Sequence, residues 1–476
     1  PSYCKLTALS LFSSALLRLD IMVDKEDDRA DNTDSNNISA RRQRKQAKKK
    51  LALQRRFERL NNRGPPTSFV GQHKWLGGAV DPQTGYIYGV PSHSYQIICI
   101  KPSTPTTKAE IFTIPLPNEF QQGKFKWLRG LVYDGSLYAI PAWSKQGVLK
   151  CHLATQKVTV LPLPHKPSHY ETPSIPWKSF STNVDRGRWM WHGGALGESS
   201  SGEFAIYCPP SNAQHVLKVN LDGSDKVEEI GPKLSEGQNK WYGGIKGLDG
   251  CVYGMPYNAT GVLRINPKDD SVEVLGNYPR GGYKWHGGLL APQTGIIYAF
   301  PAHSNEVLCV DTNVKEDSIG DESWRVNTIP IKRHEGDTDP PDLSYKWLGG
   351  SYGADSCIYG MPSDATSILR IDPFKNEATT FGKVSSTRNK FQGGVLSSVD
   401  KCVYAVAADA DCILKIDTDP NTPLTLDLIG KGFEDVDDKW QGGFVGRDNK
   451  IYAIPENITK VMVITPGVTP RVEMLT

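Results

Sequence analysis

The sequence contains no run approaching the ~20 consecutive apolar residues that a membrane-spanning helix requires. It has no Cys-x-x-Cys pair and no Cys/His cluster spaced for zinc. Gly-x-Gly-x-x-Gly and Gly-Lys-Ser/Thr phosphate loops are missing, as are a Gly-x-Ser-x-Gly elbow, a His-Glu-x-x-His helix and a sialidase-type Asp box. These gaps exclude a helical span, a zinc module of ordinary spacing and the best-marked hydrolase and nucleotide sites. No catalytic residue, metal or cofactor is expected. A strong charge of one sign is lacking too, since 55 Lys and Arg stand against 52 Asp and Glu.

That balance is a sum of unlike blocks. Residues 22–39 carry a net charge of −4, residues 40–64 carry eleven Lys or Arg against Glu58, and residues 65–476 sum to −4. Residues 1–39 read as a disordered or residual targeting segment, because the Asp/Asn/Ser-rich part cannot bury enough apolar surface to offset ordering entropy. Met22 is an alternative start. The arm 40–64 is composed of good helix formers, with Leu53, Phe57 and Leu60 on one face, until Gly64-Pro65-Pro66 ends it. It suits nucleic acid, an import receptor or anionic lipid; it also suits a plain solvated tail. The nine cysteines are an odd number. Cys251, Cys357 and Cys402 recur at one repeat position, and Cys99 and Cys309 at another, as expected of small buried hydrophobes in a reducing, cytoplasmic or nuclear compartment.

From residue 65 onward one pattern recurs eight times. An aromatic-x-Gly-Gly start stands at Trp75, Trp127, Trp191, Trp241, Trp285, Trp347, Phe391 and Trp440, with Arg129 replacing the first glycine of the second copy. A tyrosine follows in each: Tyr88, Tyr138, Tyr207, Tyr253, Tyr298, Tyr359, Tyr404 and Tyr452. Proline comes three residues later, except at Ala407, and then a Val-Leu-x-Ile run. With a short β-branched stretch, each copy holds four strand-like runs separated by turn formers. Four short strands repeated eight times predict an all-β, eight-bladed antiparallel β-propeller over residues 65–476, expected to be monomeric. Insertions are predicted at about 162–188, with Trp177 and Phe180, and at about 332–344. Both join a fourth strand to the next first strand, on the face that carries the turns between second and third strands.

The Gly-Gly doublet with Tyr and Trp resembles kelch-type repeats, although here Trp precedes the doublet. Ile-Tyr-x-x-Pro followed by Val-Leu-x-Ile-Asp is similar to the Tyr-Val-Thr-Asn and NHL-like propeller repeats. Asp81 to Gly85, echoed at Thr294-Gly295, is similar to the tryptophan-docking motif of quinoprotein propellers. The whole unit resembles the Trp-x-Gly-Gly…Ile-Tyr-x-x-Pro repeat proteins of unassigned function in protists and algae. The resemblance implies a propeller and no particular activity.

Lysine precedes the repeat aromatic at Lys74, Lys126, Lys240, Lys284, Lys346, Lys390 and Lys439, with Met190 the exception. Related by the propeller axis, these seven would form a cationic ring able to hold an anionic ligand. Alternatively each lays its stem on the neighbouring Trp or pairs with a carboxylate. The Trp and Tyr series are expected in the core, and the glycine doublets at close backbone approaches near the axis. Departures from symmetry mark where a unique site would sit: Arg129, Trp143, Trp189 and His192, beside the insertion carrying Trp177. The reading is a non-enzymatic interaction module that binds a protein or anionic ligand on its loop-rich face. A hydrolase or oxidoreductase with a site in the central channel, or a carbohydrate-binding lectin, is the alternative.

Overall fold

The structure, a computed structural model, describes residues 71–166, 188–234, 237–313 and 325–476. The expectations for residues 1–39, for the basic arm 40–64 and for Trp177 lie outside these. No helix among the described residues is long and apolar enough to cross a membrane.

Among the described residues thirty-two strands form seven sheets, six of four strands and one of eight. Within each repeat the strands pair antiparallel in sequence order. The seam inside the eight-stranded sheet is a short parallel pairing of Ile331 and Lys332 with Ala378 and Thr379, joining the fourth strands of repeats five and six. Burial follows strand position. Second strands such as Ile358–Pro362 are buried throughout, because a neighbouring sheet covers each face. Outer strands such as Arg471–Leu475 are largely open. The 62-residue interval after repeat five divides in two: Glu306–Asp311 and Val326–Lys332 are adjacent strands with a long link between them, so only part of the extra chain is at 332–344.

The repeat signature is what the packing requires. Trp75, Trp127, Trp191, Trp241, Trp347 and Trp440 are fully buried, and each bridges to the preceding repeat. Trp127, for example, clusters with Tyr88, Ile97 and Ile114. Each buried indole also needs an acceptor. Trp127 Nε1 donates to Gly147 O at 2.9 Å and Trp347 Nε1 to Ser367 O at 2.9 Å, at the start of their own third strands. Four of the tyrosine hydroxyls donate to a carboxylate of the preceding turn, as Tyr253 does to Asp249 at 2.7 Å and Tyr404 to Asp400 at 2.6 Å, while Tyr207 and Tyr298 reach Asp270 and Asn376 of the next repeat.

Inner strands of most successive repeats touch, and Trp75–Val80 meets Trp440–Val445 to close the ring. Repeats two and three meet through Tyr138, Ile140, Trp191 and Leu217. At the closure Trp75, Ile87 and Ile98 pack against Tyr452, Ile454 and Val461. Among the described residues no strand is exchanged there, since each of these two sheets is built from its own repeat. The molecule is a β-propeller.

The insertion at 332–344 is stitched down. Asp337 accepts from Ser367 Oγ at 3.1 Å and Thr380 Oγ1 at 2.9 Å, and Asp339 accepts from the Thr366 N–H at 2.7 Å. Its carboxylates serve the scaffold.

Candidate functional site

The repeat lysines stand at the junctions between sheets, and all seven are at most 9% exposed. Lys346 Nζ donates to His303 O at 3.0 Å and Leu343 O at 2.8 Å. Lys284 donates to the carbonyls of Ala259, Pro279 and Gly281 at 2.9, 2.8 and 2.8 Å. Lys126 holds Ser94 O and Gln121 O, Lys390 holds Ser363 O and Thr387 O, and Lys240 holds Ala213 O. Lys74 closes the ring by donating to Glu456 O and Ile458 O, while Lys439 donates to Val436 O. A cationic funnel would need these ammonium groups open to solvent. They are internal clips, most of them tying an approach loop to the preceding repeat's turn. Burial pushes Lys126 and Lys240 down to about 7 and Lys284, Lys346 and Lys390 to about 8, while the carbonyl bonds favour the charged form and oppose that shift.

The residue before each repeat lysine, and before Met190, adopts a left-handed backbone, with φ between 46° and 54° at His73, Phe125, Trp189, Asn239, Tyr283, Tyr345, Asn389 and Asp438. Asn and Asp tolerate this region, whereas bulky aromatics are uncommon there. In five places the preceding repeat's turn supplies a side-chain oxygen to the N–H. Asn212, Asn258, Asp364, Asp409 and Asn457 accept from Asn239, Tyr283, Asn389, Asp438 and His73 at 2.6 to 2.9 Å. The other three turns carry His93, Trp143 and His303, which stack on the aromatic residue instead. Ring centroids are 4.4 Å apart for His93–Phe125, 5.9 Å for Trp143–Trp189 and 4.6 Å for His303–Tyr345. Each stacking residue has a buried ring nitrogen without a partner: His93 Nε2, Trp143 Nε1 and His303 Nε2.

The turn face is therefore uneven. Over repeats one to three, Phe125 lies 4.9 Å from Trp143 and 5.0 Å from Trp189, with the Arg188 guanidinium 4.9 Å from the Trp143 ring. Leu76 and Leu128 continue this patch toward the axis. Over repeats seven and eight the same level carries carboxylates. There burial, aided by Asp438 and Asp437, raises the pKa of Asp409.

At the axis, glycine doublets surround a cavity of about 320 Å³ lined by Gly77, Gly193, Gly243, Gly287 and Arg129, with Leu131, Ile140, Ile245 and Phe444 as apolar wall. At six of the eight second glycines, Gly394 and Gly443 excepted, a Cβ would lie under 3.0 Å from a neighbouring atom. A Cβ on Gly130 would lie 2.7 Å from Tyr138 O, and one on Gly288 2.7 Å from Tyr298 O. Beside the cavity mouth His192, Tyr242 and His286 form an aromatic group, with His192–Tyr242 centroids 3.9 Å apart and Tyr242–His286 4.8 Å apart. Burial and the nearby Arg129 charge push both imidazoles down, His286 to about 3, so both rings are neutral at pH 7.

The predicted asymmetric residues thus divide between two places. Arg129 and His192 belong to the axis, and Trp143 to the turn-face patch. His73, Phe125 and Tyr242 were not singled out, although their signal was present as aromatics at repeat positions occupied elsewhere by Asn, Asp or Leu.

Fold and site together define a propeller whose asymmetry is concentrated on one face and along its axis. No protein-family model matches the chain, and no curated protein sequence does. Solved structures similar to it include the computationally designed Ika8 protein, 8% identical with a TM-score of 0.50, covering 83% of this chain and 97% of that one. A streptogramin B lyase is 12% identical, with a TM-score of 0.45 and coverage of 85% and 95%. Hydrazine synthase of Kuenenia stuttgartiensis is 9% identical, with a TM-score of 0.46 and coverage of 86% and 99%. At such identities the likeness extends to the fold alone.

Proposed function

We propose that the chain is an eight-bladed propeller, the eight-stranded sheet counting as two blades, that works as a non-enzymatic module binding a protein partner. The binding surface in this reading is the turn face over repeats one to three, centred on Phe125, Trp143, Trp189 and Arg188. One observation carries it. Where five turns close a side-chain hydrogen bond, His93 and Trp143 give that bond up for aromatic stacking, and they do so in adjacent repeats. Aromatic and arginine side chains dominate binding hot spots because they bury much area and retain a polar handle. A stacking wall for sugars is less well supported, since the repeat tryptophans lie inside the sheets. A channel enzyme would need unlike acid and base groups together, and Arg129 is the one ionisable side chain among the described cavity-lining residues.

The test uses the full chain, a Trp143→Ala/Trp189→Ala variant and a control variant Asn389→Ala/Asp409→Ala on the acidic side. Partners enriched from native lysate are identified, purified and titrated against all three proteins, with melting temperatures measured alongside. A loss of at least ~10-fold in affinity, confined to the tryptophan variant at unchanged melting temperature, is expected for a hot spot. Equal affinity across the three proteins overturns the reading.

A further inference from the structure

The first glycine of each doublet adopts a left-handed backbone, with φ of 78° at Gly77, 94° at Gly193, 73° at Gly243, 69° at Gly287, 85° at Gly349, 74° at Gly393 and 74° at Gly442. Glycine is the natural residue for that conformation because it has no Cβ to clash. Repeat two keeps the conformation, with φ of 58°, yet places Arg129 there. The chain thus bears backbone strain to hold an arginine at the axis. Strain of this kind is maintained where the surroundings over-determine it, commonly at ligand sites.

The side chain lies between its neighbours' glycines. A Cβ on Gly77 would come within 3.2 Å of Arg129 Cα, and one on Gly193 within 3.4 Å of Arg129 Cδ and 3.9 Å of Nη1. A side chain at Gly77 would press on the arginine, and one at Gly193 would touch it. Arg129 is exposed on its strand, its open surface faces the cavity that it lines, and desolvation by the surrounding protein lowers its pKa. The titratable side chains that act on it electrostatically are Tyr242, His192 and His286, none of them anionic at pH 7. Among the described residues no hydrogen bond or ion pair to a protein group satisfies its guanidinium. The remaining lining is glycine backbone with Leu131, Ile140, Ile245 and Phe444.

A guanidinium with no protein counter-charge in the wall of a largely apolar cleft favours an anion, because the low-dielectric walls focus its field. Its planar fork of N–H donors matches a carboxylate or phosphate through two parallel bonds. The cavity, at about 320 Å³, is of small-molecule size, and its apolar walls favour an organic body behind the charged head. We propose that Arg129 makes the propeller axis a binding site for a small organic oxyanion, a carboxylate or a phosphate monoester. This site is separate from the turn-face patch, and neither depends on the other.

The test is calorimetric titration and thermal melting of the full chain with three probes: inorganic phosphate, succinate and phenyl phosphate. The Arg129→Gly variant restores the residue of the other seven repeats, removing both the left-handed Cβ and the unpaired charge. It should melt no lower than the natural protein. Ligand that binds only the folded state raises the melting temperature in proportion to its occupancy. At least one probe is expected to bind the natural chain and raise its melting temperature, with affinity reduced 10-fold or more in Arg129→Gly. Arg129→Lys, which keeps the charge but loses the fork, should fall between them. Equal binding by Arg129→Gly overturns the proposal, as does the absence of heat and melting shift with all three probes at ~10 mM, a concentration above the dissociation constant of any specific site of interest.

Discussion

Lys126 and Arg129 are cations three residues apart at the start of one inner strand, the first buried and the second exposed to the cavity it lines. Their surroundings differ completely. Lys126 belongs to a position that recurs around the ring, and its ammonium is held by Ser94 O and Gln121 O at 2.8 and 3.0 Å. Arg129 occurs once, on a backbone made for glycine, and faces a cavity with no protein acceptor among the described residues. Regular chemistry in a repeat protein serves contacts that every repeat must make. A polar group that breaks the pattern has no such contact waiting for it, so its partner has to come from elsewhere.

The contrast can be tested from its rigid end to its permissive end. Trp347→Ala should destabilise most, by about 3–5 kcal/mol in chemical denaturation, because a fully buried indole is replaced by a void. Trp347→Phe, which imitates the natural Phe391, should cost about 1 kcal/mol by leaving Ser367 O without its donor. Lys346→Met should cost about 2–3 kcal/mol, since His303 O and Leu343 O are stranded in the interior. If Lys346→Met proved neutral while Arg129→Gly destabilised, the roles assigned to the two cation types would be reversed.

A smaller effect is expected at the ring closure. Glu456, buried and hydrogen-bonded to His73 Nδ1 at 2.6 Å, has its pKa pushed up to about 7 by burial, from an ordinary 4.5. Between those values the folded chain holds a proton that the unfolded chain has released, so this group makes stability fall as pH rises from 4.5 toward 7. Below 4.5 both states are protonated and the group contributes no slope. Glu456→Gln should flatten that part of the stability–pH curve, as followed by urea midpoints across the window. An unchanged slope would mean that the carboxyl titrates normally in the folded ring.

Much of the architecture was legible because it is written repeatedly. The tryptophans, tyrosines and glycine doublets each satisfy a demand visible in sequence: bulk between sheets, a polar tip with a fixed partner, or absence of a Cβ. Arg129 and His192 were legible as breaks in that pattern. The fate of the lysines was not, because their acceptors are main-chain carbonyls, and these leave no trace in residue identity. Neither was the ring of left-handed residues. Asn239, Asn389 and Asp438 hint at it, but Phe125, Trp189, Tyr283 and Tyr345 occupy the same conformation against their own preference. The parallel seam between repeats five and six was hidden for a similar reason, since the strand that makes it, Val326–Lys332, is longer than the other fourth strands.

The closure between the last repeat and the first has a consequence for how the ring could be rewired. Lys74 clips it as other lysines clip their own junctions, and no strand crosses it. Chain connectivity is therefore nearly interchangeable with contact there. A circular permutant that links residue 476 to residue 71 and opens a new break between Ile429 and Lys439 would keep every sheet whole. Such a rearrangement would relocate the termini while leaving the axis and the aromatic patch as they are.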